Sequence, residues 1–135
     1  MPPRDGKGSI MKALIVEDNA ELAFLWSEVL GEIGFEANHV DTTRDAMSQT
    51  LRHDFDLFIL DLFVKDGSTI SLSDWLSLRA PNTPVIMITG SAELPKGEHT
   101  TVATGVSWLL RKPVKVADLQ AMADHLCRTV HQQSA

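Results

Sequence analysis

The chain has 135 residues, of which 44% are hydrophobic and 22% charged, and its formal net charge is −6. This size and composition predict one globular, cytoplasmic domain with no membrane span, because no apolar run approaches the about 20 residues that a membrane helix needs. The acidic balance disfavours direct binding to nucleic acid, and the single cysteine, Cys127, excludes an internal disulfide and a cysteine-based zinc site.

The chain divides into a predicted flexible leader at residues 1–11, a folded domain at 12–131 and a tail at 132–135. Apolar periodicity within the folded domain predicts the elements one after another. In chain order these are a strand at 12–17, a helix between Asn19 and Gly34, a strand at 35–40, a helix at 43–52, a strand at 55–60, a helix at 68–78, a strand at 84–89, a weak helix at 92–104, a strand at 106–110 and a helix at 116–130.

Five strand–helix units in succession predict an α/β fold, in which a parallel sheet carries helices on both faces. The spacing of apolar residues predicts which side of the first helix is buried, with Phe24 on the opposite side. The residues predicted for that buried face are Leu22, Leu25, Trp26, Val29 and Ile33. Ligands of such open sheets bind beyond the carboxyl ends of the strands, so the functional residues are expected there.

Polar residues stand at the ends of four predicted strands. Glu17 and Asp18 end the first strand, Asp61 follows the third, Thr89 ends the fourth and Lys112 follows the fifth. Three carboxylates at one edge would repel one another and attract a cation, and an all-oxygen set favours Mg²⁺. A carboxylate such as Asp61 can act as a nucleophile and form an aspartyl phosphate, with Lys112 and Thr89 contacting the phosphoryl oxygens.

Each of these residues also has a plainer interpretation when it is considered alone. Asp18 and Asn19 are typical of a helix N-cap, and Asp61 is typical of a turn that ends a strand. Thr89-Gly90 commonly begins a turn, and Lys112-Pro113 is typical of a surface loop. Only the joint placement of these residues after the strands indicates a functional site.

From about residue 12 to about residue 130, the sequence resembles the receiver domain of bacterial two-component response regulators, and in particular chemotaxis-type single-domain regulators. The matching segments are LIVEDN at 14–19, DLFILDL at 56–62, DG at 66–67, PVIMITG at 84–90 and KP at 112–113. The resemblance implies a flavodoxin-like (βα)5 three-layer sandwich with a parallel five-stranded sheet of order 2-1-3-4-5.

The resemblance also implies a role for each site residue. Asp61 would be the phosphoacceptor, Thr89 the switch hydroxyl and Lys112 the lysine that contacts the phosphoryl group. Phosphorylation would shift the equilibrium between an inactive and an active conformation. The implied ligands of the Mg²⁺ cofactor are Glu17, Asp18, Asp61 and the backbone carbonyl of Phe63.

The implied phosphodonor is a sensor histidine kinase or a histidine phosphotransfer protein, and the implied output is a downstream target protein. The face formed by the fourth helix, fifth strand and fifth helix could support a homodimer. The sequence departs from the family pattern in three features: the short loop from Asp61 to Gly67, the residue three positions before Lys112, and the weak fourth helix at 92–104. Lys65 stands where proline is common, and Leu109 stands where an aromatic switch residue is common, with Trp108 expected on the other side of the strand. Phe63 is expected to overhang the phosphoryl group and slow its hydrolysis, because an apolar side chain cannot orient water.

Two other classes of function are considered. A phosphorylation-independent interaction module with the receiver fold would usually lack the acid pair, the phosphoacceptor or the lysine, all of which are present here. A phosphohydrolase with an aspartyl-phosphate intermediate would be expected to carry Asp-x-Asp after the first strand, where this chain has adjacent Glu17 and Asp18. We therefore expect no enzymatic activity beyond the chain's own phosphorylation and slow dephosphorylation.

Overall fold

The computed structural model describes residues 10–90 and 105–134. The strands are β1 (Met11–Val16), β2 (Phe35–Val40), β3 (Leu57–Asp61), β4 (Phe63–Val64), β5 (Gly67–Ser68), β6 (Val85–Thr89) and β7 (Trp108–Arg111). The helices are α1 (Ala20–Gly31), α2 (Thr43–Arg52), α3 (Ile70–Arg79) and α4 (Val116–Ser134). The weak helix predicted at 92–104, and residues 1–9 of the predicted leader, lie outside the described residues. None of the described helices is long and apolar enough to span a bilayer.

The main sheet has five parallel strands in the order β2-β1-β3-β6-β7. The two remaining strands, β4 and β5, pair antiparallel in a separate hairpin between β3 and α3. Without this hairpin the order is 2-1-3-4-5, so the predicted flavodoxin-like α/β fold is confirmed. The hairpin itself was not predicted, because strands of two residues carry too little periodicity to be recognised in a sequence.

Hydrophobic side chains cover both faces of the sheet. Alternate residues of a strand point to opposite faces, and Ile59 accordingly joins one core cluster while Leu60 joins the other. The first cluster includes residues of α1 and α4, and the second includes residues of α2 and α3. Every residue of β3 and of β6 is buried, as expected for central strands of a three-layer sandwich.

The buried face of α1 differs from the predicted one. Ala23 and Leu30 are buried together with Trp26 and Val29, whereas Leu25 and Ile33 are exposed, so the prediction for those two residues was wrong. Most positions of this helix are apolar, so periodicity alone does not select one face. The contacts with the sheet and with α4 select it instead. Phe24 is exposed, as predicted.

Candidate functional site

The parallel register brings four chain segments to one edge of the sheet. Asp61 is the last residue of β3 and pairs with Ile88 of β6, one position before Thr89. The ladders continue slightly past the strands, because Glu17 N donates to the Val40 carbonyl at 3.0 Å. These bonds fix where the side chains after β1 and β3 leave the sheet.

An acidic cluster lies at this edge. One carboxylate oxygen from each of Glu17, Asp18 and Asp61 lies within 4.8 Å of the others, and Asp18 is the exposed member of the three. Glu17 is fully buried and Asp61 is 3% exposed. The ammonium Nζ of Lys112 lies 3.0 Å from Asp61 Oδ2 and 3.3 Å from Glu17 Oε1. One lysine thus neutralises part of the charge of two buried carboxylates.

Two oxygens of the cluster accept no hydrogen bond from the residues that the structure describes. These are the buried Glu17 Oε1, which has only the ion-pair contact with Lys112 at 3.3 Å, and the buried Asp61 Oδ1. An unsatisfied buried carboxylate oxygen is costly, and a hard divalent cation with oxygen ligands relieves that cost. The residues present therefore fit Mg²⁺, with Glu17, Asp18 and Asp61 as its carboxylate ligands.

Burial changes the proton affinities of the cluster. Removal from water, reinforced by the neighbouring Asp61 carboxylate, raises the pKa of Glu17 from 4.5 to about 7. Burial by itself would lower the pKa of Lys112, but its hydrogen bond to Asp61 and the surrounding negative charge outweigh this and raise that pKa. Lys112 is therefore held in its charged form beside the carboxylates.

Residues 18 and 19 were interpreted either as a helix N-cap or as part of a metal site, and the structure assigns them different positions. Asn19 is the N-cap of α1, because its side-chain oxygen accepts a hydrogen bond from Leu22 N at 3.1 Å. Its own backbone N donates to Glu17 Oε2 at 3.0 Å. The cap is therefore Asn19 alone, and Asp18 lies with the acidic cluster.

Thr89 is buried at the end of β6, and its hydroxyl donates to the Gly90 carbonyl at 3.1 Å. Its own carbonyl accepts from the backbone N of Lys112 at 2.8 Å. A main-chain hydrogen bond thus links the residue that carries the predicted switch hydroxyl to the residue that carries the predicted phosphoryl-contacting ammonium group. In β7, Leu109 stands where the family commonly has an aromatic residue, and it packs against the core. Trp108, which was expected on the other side of the strand, is exposed.

The hairpin formed by β4 and β5 carries Phe63, which is 47% exposed and stands two residues after Asp61. Two contacts fasten the hairpin to the segment that leads into α2. Lys65 Nζ donates to Asp41 Oδ2 at 2.7 Å, and the Asp66 carboxylate accepts from the backbone N and the hydroxyl of Thr43 at 2.8 and 2.7 Å. The backbone bond from Thr43 lowers the pKa of Asp66. The position of Phe63 therefore depends on contacts from outside β3.

One residue beside the site was missed by sequence reasoning. Thr69 is fully buried, and its hydroxyl donates to the backbone carbonyl of Asp61 at 2.8 Å. A threonine just before a helix normally indicates an N-cap, and that common signal hides any other use of the hydroxyl.

Comparison with known proteins adds to this geometry. Residues 13–124 match the family described as response regulator receiver domain. The chain is 32% identical over 114 residues to the response regulator protein PilR of Pseudomonas aeruginosa, an alignment that covers 84% of this chain and 25% of PilR. It is 29% identical over 103 residues to the cell cycle transcriptional regulator CtrA of Caulobacter vibrioides, covering 76% of this chain and 44% of CtrA. The chain thus spans less than half the length of these curated relatives.

Solved structures agree on the fold. The signal receiver domain of a protein described as a LuxO repressor, from Vibrio parahaemolyticus, superposes with a TM-score of 0.82 at 26% identity, covering 93% of this chain and 95% of that one. A CheY-like response regulator receiver domain protein from Methanospirillum hungatei superposes with a TM-score of 0.84 at 20% identity, covering 93% and 99%. At 20% identity, the second likeness concerns the fold alone.

Proposed function

The chain belongs to the response regulator receiver domain family, and from this membership and the geometry of its acidic edge we propose that it accepts a phosphoryl group on Asp61. The observation that carries the proposal is the setting of the Asp61 carboxylate. It is buried, it lies 3.0 Å from Lys112, and one of its two oxygens accepts no hydrogen bond within the described part of the chain. A nucleophile needs such a free oxygen, and a fixed positive charge next to it suits an incoming phosphoryl group.

The phosphodonor that we propose is a phosphohistidine of a sensor histidine kinase or of a histidine phosphotransfer protein. An Asp61 oxygen would attack the phosphorus, forming a P–O bond as the P–N bond of the donor breaks. The donor imidazole, protonated on its other ring nitrogen, would leave as a neutral base. Mg²⁺, when bound by Glu17, Asp18, Asp61 and the backbone carbonyl of Phe63, supplies positive charge that offsets repulsion between the carboxylates and the phosphoryl oxygens.

Lys112 and Thr89 have complementary roles in this proposal. The Lys112 ammonium exchanges part of its contact with Asp61 for a phosphoryl oxygen, which keeps the total charge of the buried edge low. The Thr89 hydroxyl, which already lies at the end of the neighbouring strand, donates to another phosphoryl oxygen. The reorientation of Thr89 would shift the population of conformations at the β6 and β7 side of the sheet.

The output that we propose is recognition by a downstream target protein in the cytoplasm, with no enzymatic activity on another substrate. A homodimer through the fourth-helix, fifth-strand and fifth-helix face belongs to the same proposal. Of that face, the structure describes the fifth main-sheet strand, β7, and the last helix, α4, which is the fifth helix of the sequence prediction. Trp108 provides an exposed aromatic surface there.

Labelling with a small phosphodonor tests the proposal without a cognate kinase. We expect acetyl phosphate to phosphorylate the protein in the presence of Mg²⁺ and not in excess EDTA. Asp61→Asn should abolish labelling, whereas Asp54→Asn, an exposed carboxylate on the segment before β3, should label like the parent protein. Equal labelling of Asp61→Asn and the parent would refute the assignment. No labelling of the folded parent would instead favour a phosphorylation-independent interaction module.

A further inference from the structure

Thr69 lies where the hairpin of β4 and β5 returns to the end of β3, immediately before α3. Its backbone N donates to the Leu62 carbonyl at 2.8 Å, and its hydroxyl donates to the Asp61 carbonyl at 2.8 Å. Thr69 occupies the N-cap position of α3, yet its side chain makes no capping hydrogen bond to that helix. The hydroxyl is turned away from its usual partner and towards the main chain of Asp61.

The Asp61 carbonyl needs a donor from outside the sheet. The register between β1 and β3 ends at the Val16–Leu60 pair, one residue before Asp61. On the other side, Leu62 N donates to the Ile88 carbonyl at 2.8 Å, so the β6 side of that peptide group is already engaged. The two ends of a peptide group point in opposite directions, so the Asp61 carbonyl faces the β1 side, where the ladder has stopped. The Thr69 hydroxyl supplies the donor there.

We propose that Thr69 is a positioning residue for the phosphoacceptor: by holding the main-chain carbonyl of Asp61, its buried hydroxyl fixes the direction in which the Asp61 carboxylate leaves the sheet. This inference rests on the proposed function, and it adds a residue that contacts neither the phosphoryl group nor the metal. The peptide group of Asp61 is the point at which the chain leaves β3 for the hairpin. Rotation of that peptide would move the carboxylate away from Glu17 and Lys112.

Burial makes this bond effective. Thr69 is fully buried, with Met87 Sδ 3.5 Å from its hydroxyl, so water has little access to replace the hydroxyl as a donor. Loss of a donor to a buried carbonyl leaves that carbonyl unsatisfied, and the main chain relaxes to find another partner. A small misplacement of a nucleophile is enough to slow its reaction severalfold.

The test compares variants that remove a threonine hydroxyl at the two ends of β3. Thr69→Val keeps the branched shape and removes the hydroxyl beside Asp61. Thr83→Val is the matched control, because the Thr83 hydroxyl donates to the Phe55 carbonyl at 3.2 Å, just before the strand begins. Thr69→Ser and Thr69→Ala form a second pair that differs by one hydroxyl, and this pair tests the inference should the valine variant not fold.

The readouts are the initial rate of labelling by acetyl phosphate and the affinity for Mg²⁺ from calorimetric titration, both well below the melting temperature of each variant. We expect Thr69→Val and Thr69→Ala to label about tenfold more slowly and to bind Mg²⁺ severalfold more weakly. Thr69→Ser and Thr83→Val should keep both values near those of the parent protein. A role in stability alone would lower the melting temperature and leave both readouts unchanged.

The positioning role is overturned if folded Thr69→Val labels at the parent rate, if Thr83→Val slows labelling equally, or if Thr69→Ser is as slow as Thr69→Ala. The proposed function has a separate criterion. It stands when the parent protein labels and Asp61→Asn does not, whatever Thr69 variants do. A parent protein that fails to label would overturn both.

Discussion

Glu17 is a fully buried carboxyl group whose pKa rises from 4.5 to about 7 when the chain folds, mainly because burial removes it from water. A raised pKa means that the folded state holds a proton that the unfolded state has already released. The free energy of unfolding therefore falls as the pH rises through the interval between the two values. The contribution of Glu17 is most favourable below about pH 4.5 and is lost above about pH 7.

The size of this effect follows from the two pKa values. Each unit of pKa difference corresponds to about 1.4 kcal/mol. Between pH 5 and pH 8, the titration of Glu17 therefore lowers the free energy of unfolding by roughly 2 kcal/mol. For a domain of this size that loss lowers the melting temperature by about 5–10 °C. Asp66 has its pKa lowered, so its own titration affects stability only in more acidic solution.

Thermal unfolding in EDTA at pH 5 and at pH 8 measures this loss. The informative quantity is the difference between the parent protein and Glu17→Gln, which keeps the shape and cannot ionise, because any pH dependence that the two proteins share cancels in that difference. We expect the parent to lose roughly 2 kcal/mol more than Glu17→Gln between the two pH values. Mg²⁺ should reverse the loss at pH 8 in the parent only, because it binds the ionised carboxylate. Parallel pH profiles for the two proteins in EDTA would show that the reasoning is wrong.

Three further predictions concern other parts of the structure. Gly105→Ala would place a Cβ 2.4 Å from the backbone oxygen of Ser73, so we expect a loss of about 2 kcal/mol in chemical unfolding. The control Gly31→Ala, whose added Cβ has no described atom within 4 Å, should be neutral or slightly stabilising, and equal losses in the two variants would contradict the contact. Asp66→Ala removes the carboxylate that accepts hydrogen bonds from the first two residues of α2 and should cost about 1 kcal/mol by the same assay. An unchanged midpoint would show that these hydrogen bonds do not stabilise the protein. Phe63→Asn introduces a polar group that can orient water, so the half-life of the phosphorylated protein should shorten about fivefold or more, and an unchanged half-life would remove Phe63 from the account of phosphoryl lifetime.

Sequence reasoning was most successful where one short segment determines the outcome. The apolar run before Asp61 is buried on both sides as β3, and the alternation of strands with helices correctly predicted a parallel sheet. The order of the five main strands came from the resemblance to receiver domains. Sequence reasoning was least successful where burial depends on how several segments pack together. The side of α1 that packs inward depends on the shape of the sheet and of α4, so the prediction that Leu25 and Ile33 are buried was wrong.

The sequence by itself determined which residue types stand at the carboxyl ends of the strands, because apolar runs that alternate with helices pair in parallel and place those ends at one edge. Asp61 and Lys112 therefore meet although 51 positions separate them in the chain. Only the tertiary structure decided how deeply Glu17 is buried and which hydroxyl holds the carbonyl of Asp61. Burial and hydrogen-bond partners depend on atoms that other segments bring to the site, and Thr69 reaches that carbonyl only because the chain turns back through the hairpin.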